Sequence, residues 1–270
     1  MQPGVSIARL RADCSSCAAL CCVAPALSRS ADFAIDKPAG VPCPNLTAEL
    51  RCAIHPDLRF RGFPGCAAYD CFGAGQRITA AIGGADWRTG EDAARRMYSA
   101  FAALRRLHEL LWHLAEAVEL TIGEPLGSNL RAAQAEVEQK AASSPQELEA
   151  LDVAVVQNDV DALLKQASEC ARGQVPPPRI EAGGADLIGK DLREAPLRGA
   201  MLRGAYLIGA DLRGTDLTLA DMTGADLRGA LLHDADLREA LFLTQVQVGS
   251  AKGGPGTLLP ERLDRPPHFG

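Results

Sequence analysis

The chain has 270 residues, of which 47 % are hydrophobic and 23 % charged, and its formal net charge is −6. This length predicts one large domain or two to three small ones. The acidic balance and the aromatic content of 4 % argue against direct nucleic-acid binding through a basic face or base-stacking platforms. The sequence has no apolar run of about 18 residues that would predict a membrane helix. Its first residues lack the basic start and apolar stretch of a signal peptide, so we expect a cytoplasmic protein.

Cysteines dominate the predicted N-terminal module, residues 1–80. Eight of the nine cysteines lie before residue 72. Large apolar side chains are few in this module, so it needs a stabilising cross-link in place of a large hydrophobic core. Thiols stay reduced in the cytoplasm, which favours a metal site over the two alternatives, disulfides and inert thiols. The predicted ligands are Cys14, Cys17, Cys21, Cys22, Cys43, Cys52, Cys66 and Cys71, with His55 as an optional nitrogen ligand.

The spacing of these cysteines adds detail to the prediction. Cys14 and Cys17 are separated by two residues, a gap that lets both thiolates face one ion in a tight turn. Cys21 and Cys22 are adjacent and cannot easily serve the same tetrahedral ion, which predicts separate roles for them. A closed all-thiolate zinc site is favoured. Iron or an iron–sulfur cluster is the alternative, because these centres also use four thiolates.

The same region resembles small bacterial proteins described as zinc- or iron-chelating, which carry a CxxCxxCC signature. Here the signature reads Cys14-Ser15-Ser16-Cys17 followed by Cys21-Cys22, with one residue more in the second gap. Two later elements of that family resemble Cys43-Pro44-Asn45-Leu46 and Cys52-Ala53-Ile54-His55. The resemblance implies metal chelation by this module.

Residues 88–172 have the apolar periodicity of helices. A stripe from Met97 to Val118 predicts one helix that stops before Gly123 and Pro125, and a shorter helix follows near residues 129–142. The sequence Ser144-Pro145-Gln146-Glu147 has the pattern of a capping box and predicts a further helix running towards Gly173. We interpret the polar aromatic residues of the first helix as packing residues. They are His108, Trp112 and His113.

Residues 183–247 repeat with a period of five. In twelve consecutive units the third position is a large apolar residue, from Leu187 to Phe242, and the first position is usually alanine. A period of five fits neither a helix of 3.6 residues per turn nor a flat strand with a two-residue repeat. It fits a chain that turns a corner every five residues, so that four corners make a square coil of about 20 residues and coils stack at about 4.8 Å.

This pattern closely resembles the A-D/N-L-x-x repeat of the pentapeptide-repeat family. The resemblance implies a right-handed quadrilateral β-helix, which in this segment has about three coils. We therefore predict a multi-domain α+β protein with a Cys-rich module, a helical middle, a C-terminal β-helix and an irregular tail at 248–270. The end of the repeat, 240–245, and the tail, 265–269, resemble actinobacterial members of the family.

Folding the repeat into a square sorts its outward residues by side. Two sides are apolar enough to be docking surfaces for the helical region or for a second subunit. The residues of this predicted interaction surface are Ile188, Met201, Tyr206, Ile208, Leu241 and Leu243. A third side carries arginines next to aspartates, which predicts a solvated ladder of ion pairs. The expected partner is a protein, and a homodimer is one option.

These features favour a non-catalytic metal-binding interaction or scaffold protein. The chain has no G-x-G-x-x-G, Walker loop, H-E-x-x-H or nucleophile elbow. The first alternative is an enzyme with an iron–sulfur or redox-cysteine site. The second is a DNA mimic that interacts with gyrase, as some pentapeptide-repeat proteins do. The balance of ten acidic and seven basic side chains in residues 183–247 argues against that alternative.

Overall fold

The computed structural model of the chain describes residues 7–83, 86–120, 123 and 125–270. The first six residues of the predicted 1–80 module therefore lie outside the described residues. The chain divides into two compact units. One consists of Met1–Val118 with Gly127–Leu163, and the other of Glu119–Leu126 with Leu164–Gly270.

Short elements and turns make up the cysteine-rich part of the first unit. Its helices are α1 (Leu20–Val23), α2 (Pro64–Ala68) and α3 (Ala74–Ala81). Its 3₁₀ helices are Ile7–Leu10, Cys14–Ser16 and His55–Asp57. Two isolated antiparallel bridges join Leu27 to Lys37 and Leu46 to Cys52. With so little regular structure, side-chain hydrogen bonds to the backbone, such as those of Arg51 and Lys37, help to hold the loops in place.

Longer helices follow in the order that the apolar periodicity predicts. After a 3₁₀ helix at Trp87–Thr89 come α4 (Glu91–Glu119), α5 (Leu126–Ala141), α6 (Pro145–Ala150) and α7 (Val153–Arg172). The capping box before α6 is confirmed, because the Ser144 hydroxyl accepts a hydrogen bond from the Glu147 amide and the Glu147 carboxylate accepts one from the Ser144 amide.

The predicted single helix from Ser144 towards Gly173 is wrong, because the chain breaks between α6 and α7. Leu151 has extended backbone angles, with φ −75° and ψ 125°. The Asp152 carboxylate then accepts a hydrogen bond of 3.0 Å from the Ala154 amide at the start of α7. An aspartate that caps a new helix in this way competes with continuation of the old one.

Helix α4 provides most of the core of the first unit. Its fully buried residues include Leu104, Leu107 and Leu114. Phe72, which follows the last cysteine of the module, is also fully buried, and its ring lies 5.9 Å from that of Trp112. The same helix buries His108, Trp112 and His113. The C-terminal end of the cysteine module is thus anchored on α4.

The predicted α+β class with a right-handed quadrilateral β-helix is wrong. Throughout the described ranges the chain forms helices and isolated β-bridges but no strand. In the repeat, one bridge residue is followed by a tight turn, and the next bridge residue comes five positions later. A corner every five residues leaves too few consecutive residues on each side for a strand, which needs several paired residues in a row.

The bridges in the repeat are parallel and join residues 20 positions apart. Examples are Asp186 with Tyr206, Tyr206 with Asp226, and Asp221 with Leu241. Four repeats therefore return the chain to the same side. From Leu197 onward the central leucines are buried, and so are the alanines from Ala200 onward. Hydrophobic burial and backbone hydrogen bonds between successive turns hold this part together.

The C-terminal tail, predicted as irregular, contains regular contacts. Helix α8 (Gln245–Ser250) begins with a capping box at Thr244. Beyond it, Lys252 and Leu258 form parallel bridges with residues of the repeat, and a 3₁₀ helix lies at Pro267–Phe269. The tail therefore covers the last turn of the repeat. In the described part of the chain, none of the helices is both long enough and apolar enough to cross a membrane.

Candidate metal centre

All nine cysteines lie in the described residues, and all are free thiols. Cys14 is exposed and the other seven cysteines of the module are half-buried. Cys170 lies on α7, in the second unit, and is exposed. The charges of the eight thiols of the module act on one another, and these interactions define two sets. The Cys71 group is Cys14, Cys17, Cys21 and Cys71, the Cys66 group is Cys22, Cys43, Cys52 and Cys66, and Cys22 also interacts with Cys14.

The Cys71 group is built from the first 3₁₀ turns and the N-terminus of α3. A Cβ atom at Gly75 would lie 2.6 Å from the Cys17 sulfur and 3.8 Å from the Cys71 sulfur, so one point is close to both. Arg51 fixes the backbone of this group, because its guanidinium donates hydrogen bonds to the carbonyl oxygens of Cys14 at 3.2 Å and Cys17 at 3.3 Å. This arrangement brings two sequence-distant cysteines to one place.

Cys71 lies just before α3, where backbone amides point towards its sulfur. Burial raises the pKa of Cys71, and hydrogen bonds from the amides of Gly75 and Gly73 oppose that shift. Gly73 has φ 77°, a left-handed conformation that glycine adopts without strain and that turns the chain into α3. Amide donors and a helix N-terminus stabilise a thiolate, which is the form that binds metals.

The Cys66 group is assembled by loops. The Cys43 amide donates a hydrogen bond of 3.0 Å to the Cys22 carbonyl, and the bridge between Leu46 and Cys52 folds the next segment back. Burial raises the pKa of Cys66 to about 12, and the negative charges of ionised Cys22, Cys43 and Cys52 add to the shift. Its neighbours therefore disfavour ionisation of Cys66, a repulsion that a bound cation would relieve.

The adjacent cysteines Cys21 and Cys22 lie where the two groups meet. Their sulfurs are 4.0 Å apart. The hydrogen bond from Cys21 lowers the pKa of Cys22, burial opposes this, and the Lys37 ammonium lowers it further. The charge of Cys21 interacts further with those of Cys17 and Cys14. Cys22, by contrast, interacts with Cys52 and Cys66, and both of these also interact with Cys43.

The donor set fits a thiolate-binding metal in its chemistry, because eight free thiols belong to one module and backbone amides hydrogen-bond the Cys71 sulfur. Over the described ranges, however, no three His, Cys, Asp or Glu side chains are already placed to hold one ion. The thiols would have to close around a metal, and metal binding stays a prediction. His55 is exposed in the 3₁₀ helix His55–Asp57.

Part of the predicted interaction surface is exposed. Ile188 and Tyr206 are each 52 % exposed, and Met201 and Ile208 are half-buried. Leu241 and Leu243, at 2 % and 0 %, are buried and unavailable to a partner, so their assignment to the surface is wrong. Both lie in the last turn of the repeat, just before α8 and the tail. The periodicity of the repeat does not reveal which of its turns the tail covers.

Two basic residues near the cysteines were missed from the sequence. They are Arg51 and Lys37. Lys37 is 4 % exposed, and its ammonium lies among backbone carbonyl oxygens next to the Cys66 group. The sequence offers one signal for Lys37. It is the only lysine among the first 139 residues, and every other cationic side chain apart from histidine in that range is an arginine. A compact ammonium suits a small carbonyl cage that a planar guanidinium does not.

Comparison with known proteins agrees with the repeat pattern. Residues 183–218 and 205–242 match the family described as "Pentapeptide repeats", with eight copies. The chain is 50 % identical over 264 residues to "Uncharacterized protein YybG" of Bacillus subtilis (strain 168), which covers 96 % of this chain and 95 % of that protein. The likeness thus includes the cysteine module and the helices as well as the repeats. The chain is a member of the same family as this Bacillus subtilis protein, with pentapeptide repeats in its C-terminal part.

Proposed function

We propose that this non-catalytic repeat protein binds zinc, or alternatively iron, through its N-terminal cysteines and presents its pentapeptide repeats to a protein partner. The observation that carries the proposal is the presence of eight free thiols, close enough for their charges to act on one another, in a module with little regular structure. Four thiolates are the usual ligand set of a structural zinc site. Zinc, when bound, supplies a cross-link that such a module needs in place of a large core.

The residues around the thiols support the same proposal. The amides of Gly73 and Gly75 hydrogen-bond the Cys71 sulfur, and Arg51 fixes the carbonyls of Cys14 and Cys17. Partners of this kind orient metal ligands, and their loss weakens metal binding. None of these residues has a role that requires a substrate, which favours a structural metal over a redox or catalytic one.

The repeat supports a protein partner more than DNA mimicry. Several of its outward-facing aspartates are paired with the arginine two residues later, as in Arg213 with Asp211 at 2.7 Å and Arg238 with Asp236 at 2.6 Å. Paired charges do not form the continuous acidic face that a DNA mimic needs. The exposed Ile188 and Tyr206 offer apolar area, which suits a protein surface.

Elemental analysis tests the metal proposal. The full chain is purified without oxygen and under reducing conditions, and its zinc and iron contents and visible spectrum are measured. We expect at least one bound ion per chain, and a colourless protein if that ion is zinc. Cys66→Ser lowers the content, whereas Cys170→Ser, which removes an exposed thiol of the other unit, leaves it unchanged. A protein that carries no metal and takes up none from solution would contradict the proposal.

Light scattering tests the simplest partner, a second copy of the chain. If the surface around Tyr206 joins two copies, the wild-type protein is dimeric and Tyr206→Asp is monomeric. The control is Tyr69→Asp in the other unit, which leaves a dimer intact. A monomeric wild-type protein at high concentration would exclude the homodimer and leave a different protein as the proposed partner.

A further inference from the structure

Lys37 is a buried cation in a cage of backbone carbonyls. Its Nζ lies 3.1 Å from the Val23 oxygen, 2.5 Å from that of Pro25, 3.1 Å from that of Pro38 and 2.9 Å from that of Val41. The bridge between Leu27 and Lys37 holds the backbone in register, with hydrogen bonds of 2.8 and 2.9 Å. The cage therefore places the ammonium group at a defined position.

The cage contains no carboxylate. Within the described part of the chain, Lys37 makes no ion pair with an aspartate or glutamate. Carbonyl dipoles solvate an ammonium but contribute no net negative charge, and a buried charge without a counter-charge is expensive. An anion near the cage would offset that cost.

The cage lies beside two cysteines of the Cys66 group. Its carbonyl groups of Val23 and Val41 belong to residues that stand one position after Cys22 and two positions before Cys43, and the Cys43 amide donates a hydrogen bond of 3.0 Å to the Cys22 carbonyl. Burial lowers the pKa of Lys37, and the thiolate charges of Cys43, Cys22 and Cys66 oppose that shift. The Cys71 group has no buried cation of this kind among the described residues that contact it. Its neighbouring cation, Arg51, is exposed and bonds to carbonyls, so solvent screens its charge.

We infer that Lys37 is the built-in counter-cation of a metal–thiolate centre formed by Cys22, Cys43, Cys52 and Cys66, and that it strengthens metal binding by that group. The inference rests on the proposed function. Four thiolates around a divalent ion leave a net negative charge, which burial makes costly unless a cation compensates it. Lys37 acts as a positioning residue, because it touches backbone oxygens and influences the metal only through the thiolates.

The test is the affinity of the metal-free, reduced full chain for Co²⁺ and Zn²⁺. Co²⁺ binding to thiolates is followed by its charge-transfer absorption, and Zn²⁺ binding by competition with a chromophoric chelator. We expect Lys37→Met to weaken one class of site by ten- to a hundredfold, the range typical for partners of metal ligands. Lys37→Arg keeps the charge and retains more affinity than Lys37→Met. Lys140→Met, which changes a lysine of α5, has no effect.

A purely structural lysine would give a different result. It would stabilise the metal-free and metal-bound forms equally, so its loss would lower the unfolding midpoint without changing the dissociation constant. Circular dichroism of the metal-free variants measures the first quantity independently of the second. If Lys37→Met does not fold, Lys37→Gln, which keeps a donor for the carbonyls but has no charge, replaces it in the same assay.

The outcomes separate the inference from the proposed function. A wild-type protein that binds metal and a folded neutral variant that binds it equally well would overturn the role of Lys37 and leave metal binding standing. A wild-type protein that binds neither ion overturns both. In a Cys66→Ser background, Lys37→Met is expected to cause no further loss, because the site that it serves is already gone. A further loss of the remaining metal would place its effect elsewhere and overturn the assignment.

Discussion

His108 makes the stability of the first unit depend on pH in a way that one substitution can isolate. The side chain is 2 % exposed, and its Nδ1 donates a hydrogen bond of 2.6 Å to the Phe72 carbonyl, next to Cys71. Burial lowers the pKa of His108 to about 4, although the bond to Phe72 opposes the shift. The imidazole is thus neutral in the folded protein at neutral pH, with its proton on Nδ1.

The sign and size of the effect follow from this shift. An unfolded histidine has a pKa of about 6.5, so above that value both states are neutral and the full stability is present. Between about pH 6.5 and 4 the unfolded state binds a proton that the folded state does not, and stability falls. The difference of about 2.5 pH units corresponds to a total loss of about 3 kcal/mol at 1.36 kcal/mol per unit.

The assay is urea unfolding of the metal-free protein at a series of pH values between about 7.5 and 4.5. His108→Asn provides the comparison, because its amide can still donate to Phe72 but does not titrate. At pH 5 the wild type is expected to have lost about 2 kcal/mol more than the variant, relative to their values at pH 7.5. Parallel curves for the two proteins across this range would refute the reasoning, since every other titrating group is shared.

Two further substitutions test packing at single contacts. Arg203→Met is expected to destabilise the repeat by about 3 kcal/mol, because it leaves Asp221, whose side chain is 1 % exposed, without its cation. The matched exposed change Arg213→Met costs less than about 1 kcal/mol, and equal losses in thermal unfolding would show that burial does not decide the value of these pairs. Gly75→Ala places a Cβ 2.6 Å from the Cys17 sulfur, so it is expected to lower the free energy of unfolding by about 1–3 kcal/mol, despite the better helix propensity of alanine. A neutral or stabilising result in urea unfolding would mean that the two elements are not packed as closely as described.

The sequence alone determined the features that local chemistry dictates. The five-residue period follows from side chains that must alternate between a crowded interior and solvent. Of the residues that this period selects, the structure buries the leucines from Leu197 onward and the alanines from Ala200 onward. The capping box at Ser144 is visible in the sequence because both partners lie within one turn. Helices α4 and α5 follow from their apolar faces in the same way.

Tertiary structure alone decided how distant segments meet. The corner at every fifth residue leaves single bridges in place of strands, and the cap at Asp152 divides a helix that periodicity joins. The grouping of the cysteines depends on loops that return Cys66 and Cys71 to different partners, which spacing along the chain does not encode. The cage around Lys37 is made of backbone carbonyls, and these are present in every residue. No side-chain pattern in the sequence predicts this cage, so only the fold shows that the Lys37 ammonium is buried among carbonyl oxygens.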